Sequence, residues 1–261
     1  MKKAVVIIVL LLVSLSVLAL RIPKEHVGYD LSGNKIYQVD TGEIKIGFKV
    51  IGEGEPLLLL MGLGGTMEDW PKTIIDMLSY DYQLILMDNR GMGYSTDTDK
   101  PFTYDLLSED VVAFMDVIDL EKAHMLGYSM GTVFIQYIFM HYPERIDRAI
   151  LNATAIDTSM SLENLYKHAN ADLPEEGPVK KQLDIVEDWQ VNPEVFKAIK
   201  NEVLLIHGRA DDILDPNDSL TLASAFENCW LVFFRGNSHY LIYENPVDFA
   251  YVCLNFLKHK R

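Results

Sequence analysis

Six short runs made almost wholly of aliphatic and aromatic residues punctuate the chain: Pro56 to Met61 (PLLLLM), Gln83 to Met87 (QLILM), Ala123 to Leu126 (AHML), Arg148 to Leu151 (RAIL), Val203 to Ile206 (VLLI) and Trp230 to Phe234 (WLVFF). A strand that is apolar on consecutive residues must be covered on both faces. Most of the runs are also separated by enough chain for a helix, so the pattern predicts an α/β fold built on a mostly parallel sheet. Ahead of them, Val27 to Val50 alternates apolar and polar residues around Ser32-Gly33-Asn34 and Asp40-Thr41-Gly42, which predicts an antiparallel edge joined by turns. The rhythm breaks from Thr154 to Asn201, a polar stretch with Pro174-Glu175-Glu176-Gly177-Pro178 at its centre and helical periodicity around Leu162 to Ala169 and Val179 to Trp189. About 48 residues are too many for an ordinary loop, so 154–201 is expected to form a small helical cap between two parts of one core, 21–153 and 202–261.

Composition narrows the partners more than the fold. At 49% hydrophobic and 23% charged, the 261 residues are neither disordered, collagen-like nor a coiled coil. Net charge is −15, and without Lys2 and Lys3 it becomes −17, with 21 basic against 38 acidic side chains. Nucleic acids and anionic membranes both need a basic patch, so neither is expected as a partner of the folded domain. Cys229 and Cys253 cannot build a disulfide framework; their apolar neighbours indicate buried thiols, with one bridge between them as the other arrangement.

Residues 1–20, MKKAVVIIVLLLVSLSVLAL, have the layout of an export signal: Lys2 and Lys3, then an apolar stretch from Ala4 to Leu20 interrupted only by Ser14 and Ser16. Seventeen helical residues cover about 25 Å, slightly less than the roughly 30 Å hydrocarbon layer. Cleavage after Ala19 and retention as a membrane anchor both fit that length. Either outcome places the protein outside the cytoplasm, secreted or anchored, with 4–20 as its only membrane contact.

The chemistry concentrates in four places. Gly127-Tyr128-Ser129-Met130-Gly131 falls where a strand ends and the helical run Thr132 to His141 begins. A serine on such a turn projects its hydroxyl outward, while glycines two residues either side let neighbouring segments approach. The Met130 amide and the positive end of the helix would then face an oxyanion. An ordinary glycine-flanked turn is the plainer reading, but the partners that serine needs follow in order. His239, in RGNSHYLIYENP between the last strand and the C-terminal helix, can be carried over the serine as its base. His207, ahead of Gly208, suits a buried strand-end role, and His124 lies within a strand as a core residue. LLIHGRADDILDP supplies the acid, Asp211 or its neighbour Asp212, to fix the imidazole's tautomer. Finally, Met61-Gly62-Leu63-Gly64-Gly65-Thr66 follows a buried strand, and the Leu63 amide is the candidate second oxyanion donor. This loop lacks the Gly-Lys-Ser/Thr ending of a phosphate loop.

From about Tyr37 to the C-terminus the chain resembles the α/β-hydrolase family, and within it the capped, lipase- and esterase-like serine hydrolases. The resemblance rests on MGLGGT, MDNRGMGYS (Met87 to Ser95), GYSMG, HGRADD and the late His239 with Glu244-Asn245-Pro246. It implies a triad of Ser129, Asp211 and His239, and a structural role for Asp88 and Arg90. Three features depart from the pattern. Met61 stands where the family often has histidine, Asn201-Glu202 replaces a proline, and Pro216 falls five residues after Asp211 rather than four, which keeps Asp212 in play.

Together these readings predict a carboxylic-ester hydrolase in which Ser129 attacks, His239 moves the proton, Asp211 orients it and the Leu63 and Met130 amides bind the oxyanion. No metal-ligand cluster or dinucleotide fingerprint is legible, so no cofactor is expected. The acidic exterior and apolar cap positions Leu162, Leu165, Tyr166, Leu183, Ile185, Val186 and Trp189 point to a small neutral or apolar ester, unless those side chains serve only to pack helices. Amide, lactone and carbon–carbon bond hydrolysis, cofactor-free perhydrolysis, or a non-catalytic binding role are the alternatives on such a scaffold.

Overall fold

The computed structural model describes residues 20–159, 161–169 and 173–259; of the expected leader, 1–19 lie outside the described residues. The antiparallel edge comprises β1 (Gly28–Tyr29), β2 (Lys35–Asp40) and β3 (Lys45–Ile51). Then come β4 (Glu55–Leu60), α1 (Lys72–Leu78), β5 (Tyr82–Met87), α2 (Tyr104–Val117), β6 (Ala123–Tyr128), α3 (Met130–His141) and β7 (Ile146–Asn152). Between β7 and β8 lie α4 (Ser161–Ala169), α5 (Gly177–Leu183) and a 3-10 turn at Pro193–Ala198. The chain closes with β8 (Glu202–Gly208), α6 (Pro216–Ala225), β9 (Cys229–Phe234), α7 (Leu241–Glu244) and α8 (Pro246–Lys258).

All nine strands among the described residues form one sheet in the order β1-β2-β3-β5-β4-β6-β7-β8-β9. The first three pair antiparallel, as does β3 with β5; from β5 through β9 every pairing is parallel. Each of the six apolar runs lies on a parallel strand, and the pleat explains why they do not alternate. In β4, Leu58 and Leu60 enter the core beneath α2 and α3, while Leu57 and Leu59 enter the opposite core with Ile74 of α1 and Phe249 and Phe256 of α8. Ile85 and Met87 of β5 divide from Leu84 and Leu86 in the same way. All four β4 leucines are fully buried, each stabilising the fold by about 2 kcal/mol through burial.

The segment from β7 to β8 differs from expectation in one helix. Helix was expected from Val179 to Trp189, but α5 ends at Leu183. Asp184, Glu187 and Asp188 would place three negative charges at the negative end of a longer helix. Ile185, Val186 and Trp189 are nevertheless buried, through turns rather than helix. Both cysteines are free thiols, and burial pushes that of Cys229 up to about 12.

At its described start the chain is fixed to the foot of the sheet. Leu20 packs on the core, and the Arg21 amide donates to the Ile118 carbonyl at 2.8 Å, just before β6 begins. No helix among the described residues is long and apolar enough to cross a membrane.

Candidate active site

Strand order dictates where a site can form. After β4 the chain crosses to β5 on one side and then to β6 on the other, leaving a crevice at the carboxyl ends of β4 and β6. The Leu63 loop leaves β4 there, and Ser129 follows β6. Ser129 has φ 52° and ψ −122°, a conformation that a non-glycine residue adopts only at a cost of about 1–3 kcal/mol. Its amide donates to the Asn152 carbonyl (2.9 Å), and its carbonyl accepts from the Thr132 amide (2.8 Å) and hydroxyl (2.7 Å). These bonds hold the turn against its own preference.

The glycines admit the close contacts this turn needs. A Cβ on Gly131 would strike the Leu60 carbonyl, and one on Gly62 would sit 3.0 Å from the Ser129 Cβ. Gly131→Ala is therefore expected to destabilise by about 3 kcal/mol, read as a lowered urea midpoint with an unchanged slope. Met130 is the first residue of α3, so its amide belongs to the helix's unsatisfied first turn, and Leu63 lines the same cavities as Ser129.

His239 arrives from the far edge of the sheet and is 4% exposed. Its Nε2 lies 3.0 Å from Ser129 Oγ and its Nδ1 2.8 Å from Asp211 Oδ2. Glu244 secures the loop, accepting from the Ser238 amide (2.8 Å) and hydroxyl (2.5 Å), and the Tyr128 hydroxyl donates to the His239 carbonyl (3.3 Å). The two loops are also joined directly, the Ala210 amide donating to the Asn237 carbonyl at 2.9 Å.

It is Asp211, not Asp212, that meets the imidazole. The proline spacing that kept Asp212 in play has another cause: Pro216 opens α6, and Asp215 caps it by accepting from the Asn217 amide at 2.9 Å. Asp211 also accepts from the Ile213 and Leu214 amides through Oδ1, each at 2.9 Å. Burial would raise its pKa, but the His207 and His239 donors outweigh burial and hold the carboxyl well below the usual carboxylate range. A depressed carboxylate contributes its stability above the unfolded value of about 3.9. The stability gap between wild type and Asp211→Asn should therefore narrow only as pH falls below about 4, measured by urea unfolding across pH.

His207 has a larger part than its sequence position revealed. Fully buried on β8, it places Nε2 2.9 Å from the same Asp211 Oδ2 and Nδ1 2.7 Å from Ser219 Oγ. An anionic acceptor requires a proton on Nε2, so in the neutral ring Nδ1 accepts from the Ser219 hydroxyl, which fixes the tautomer. His207→Leu is expected to cost about 2 kcal/mol in unfolding free energy and roughly tenfold in kcat/KM, with His207→Gln, which keeps an N–H, restoring most of both.

Gln182 of α5 was also missed: its Oε1 accepts from the Gly64 amide at 2.7 Å, tying the β7–β8 segment to the loop that carries Leu63. Of the expected cap residues, Leu165 and Val186 line the cavities at Ser129, whereas Leu183, Ile185 and Trp189 are buried and Leu162 packs on the core. The side chain of Tyr166 lies outside the described residues. His124 is buried in β6, 3.3 Å from Glu55. Asp88 and Arg90 brace the crevice from behind. Asp88 accepts from the Met67 and Tyr94 amides, burial pushing its pKa up to about 6, and Arg90 makes a bidentate pair with Asp110 of α2 at 2.7 Å. A hollow of about 740 Å³ opens beside His124 and Arg148 at the foot of the sheet, and Ser129, Asp211 and His239 are not among its lining residues.

A family model described as alpha/beta hydrolase fold matches residues 55–179. A protein of Synechocystis sp., provisionally named a non-heme chloroperoxidase, is 23% identical over 85% of this chain and 98% of its own length. The 2-hydroxymuconate semialdehyde hydrolase of Pseudomonas putida is 26% identical over 79% of this chain and 88% of its own. Among solved structures, an alpha/beta hydrolase fold protein from Chitinophaga pinensis superposes with a TM-score of 0.79 at 19% identity, covering 87% of this chain and 98% of that one.

Proposed function

Since the chain is an alpha/beta-hydrolase-fold protein, we propose that it is a serine hydrolase that cleaves an ester-type acyl substrate through a covalent acyl-enzyme. The observation that carries this reading is the unbroken hydrogen-bonded series from Ser129 Oγ through His239 to Asp211, mounted on a strained turn. His239 Nε2 takes the Ser129 proton as Oγ bonds to the acyl carbon, and the Leu63 and Met130 amides hold the resulting oxyanion. Collapse breaks the bond to the leaving oxygen, which receives that proton from His239. Water, deprotonated by the same nitrogen, then adds to the acyl carbon; the acid leaves and Ser129 is reprotonated. Asp211 stays anionic throughout and holds the imidazolium by charge.

The relatives named above carry names for different reactions, so fold alone does not select the bond. Esters are favoured over amides because an alcohol leaves the tetrahedral adduct more readily than an amine, and over perhydrolysis because they need water as the only co-reactant. The layout of residues 1–20 supports an extracytoplasmic setting, secreted or anchored, and the break in strand rhythm from Thr154 to Asn201 supports a core of 21–153 and 202–261 with 154–201 as its cap. The test is labelling with a small fluorophosphonate, followed by peptide mass analysis, beside a panel of esters, amides and lactones. Stoichiometric modification of Ser129 with ester turnover is expected. An unlabelled Ser129 would leave a binding protein on a hydrolase scaffold.

A further inference from the structure

Two cavities of unequal size meet at Ser129. One, about 40 Å³, is lined mostly by apolar side chains, among them Tyr104, Val133, Ala155 and Val186, with Thr132, Thr158 and Ser161 beside them. The other, about 270 Å³, is an open cleft bounded by Tyr128, His239, Tyr240, Tyr243 and Asp69. Leu63, Ser129, Leu165 and Ile213 border both, so Leu165 and Ile213 form the partition above the nucleophile.

The proton decides which half of a substrate goes where. When the tetrahedral adduct collapses, the oxygen that departs must be within reach of His239 Nε2. Of the two, His239 lines the larger cleft, which would seat the alcohol portion there and send the acyl chain, on the other side of the adduct carbon, into the smaller cavity. At about 40 Å³ against 270 Å³, the smaller cavity has room only for the slimmer and shorter portion of a substrate. The larger offers aromatic surface: Tyr128 and Tyr243 meet edge to face at 6.2 Å, and the half-exposed rings of Tyr240 and Tyr243 stand at its mouth.

Resting on the serine-hydrolase reading above, we infer that the preferred substrate is a short-chain acyl ester of a bulky aryl alcohol. Val186 limits the acyl chain, and Tyr243 recognises the alcohol.

The experiment compares kcat/KM for 2-naphthyl butyrate, 2-naphthyl decanoate and methyl butyrate on the full chain, in wild type and in Val186→Ala and Tyr243→Ala. For wild type, 2-naphthyl butyrate is expected to exceed the decanoate by at least about 100-fold and methyl butyrate by at least about tenfold. Val186→Ala should narrow the butyrate-to-decanoate ratio about tenfold; Tyr243→Ala should narrow the naphthyl-to-methyl ratio instead. Equal or better turnover of the decanoate, or variants that shift the wrong ratio, would overturn the inference. Failure to cleave any of the three esters would overturn it as well. In that case fluorophosphonate labelling of Ser129 in the same preparation would separate a wrong substrate from a wrong nucleophile.

Discussion

Ser129→Ala is expected to lower kcat by about 10⁴- to 10⁶-fold while leaving the urea midpoint nearly unchanged. The loss follows from the proposed role of Oγ as the bond-forming atom, whereas the backbone that positions it is secured by residues the substitution does not touch. The Ser129 amide bond to Asn152 and the bonds its carbonyl accepts from Thr132 remain, and alanine accepts φ 52° at much the same cost as serine. Only the hydrogen bond to His239 is lost, and it lies at a partly solvated cavity wall. Circular dichroism, urea unfolding and ester hydrolysis on one preparation measure all of this. Substantial residual turnover with a normal KM would mean that another nucleophile does the work.

Asp211→Asn should come next, with kcat falling about 10³- to 10⁴-fold and stability falling too. The carboxylate accepts four hydrogen bonds, two from imidazoles at one oxygen and two from amides at the other. An asparagine offers one oxygen and one amide, so either the two rings or the two backbone donors must face an N–H. If the amide nitrogen turns toward His239, the ring is driven to the opposite tautomer and can no longer accept the Ser129 proton at Nε2. If it turns toward Ile213 and Leu214, the loop after β8 loses two buried bonds, worth about 1 kcal/mol each or more. Asp212→Asn is the matched control, expected to leave kcat/KM within a few-fold of wild type because the carboxylate at His239 Nδ1 is that of Asp211.

What the amino-acid sequence discloses here is what a short window can encode. Buried parallel strands are apolar on both faces, so β4 through β9 stand out in any window of six residues. GYSMG is local because the turn must let α3 pass the Leu60 carbonyl, a requirement that glycine alone meets. His207 was visible only as a strand-end residue, since the group that fixes its tautomer, Ser219, lies on the following helix and no periodicity links the two. The bond from Gln182 to Gly64 joins positions 118 apart in the chain, beyond any pattern of spacing. The length of α5 misled for a different reason: Ile185, Val186 and Trp189 have the burial of a helix face without the backbone of one.

The anchoring of Leu20 and Arg21 beside Ile118 has a geometrical consequence for how the protein meets its surroundings. That attachment lies at the amino ends of the parallel strands, and the crevice around Ser129 at their carboxyl ends. The point where the described chain enters the fold and the mouth of the crevice are thus opposite poles of one sheet, so a label placed at Leu20 leaves the approach to Ser129 clear.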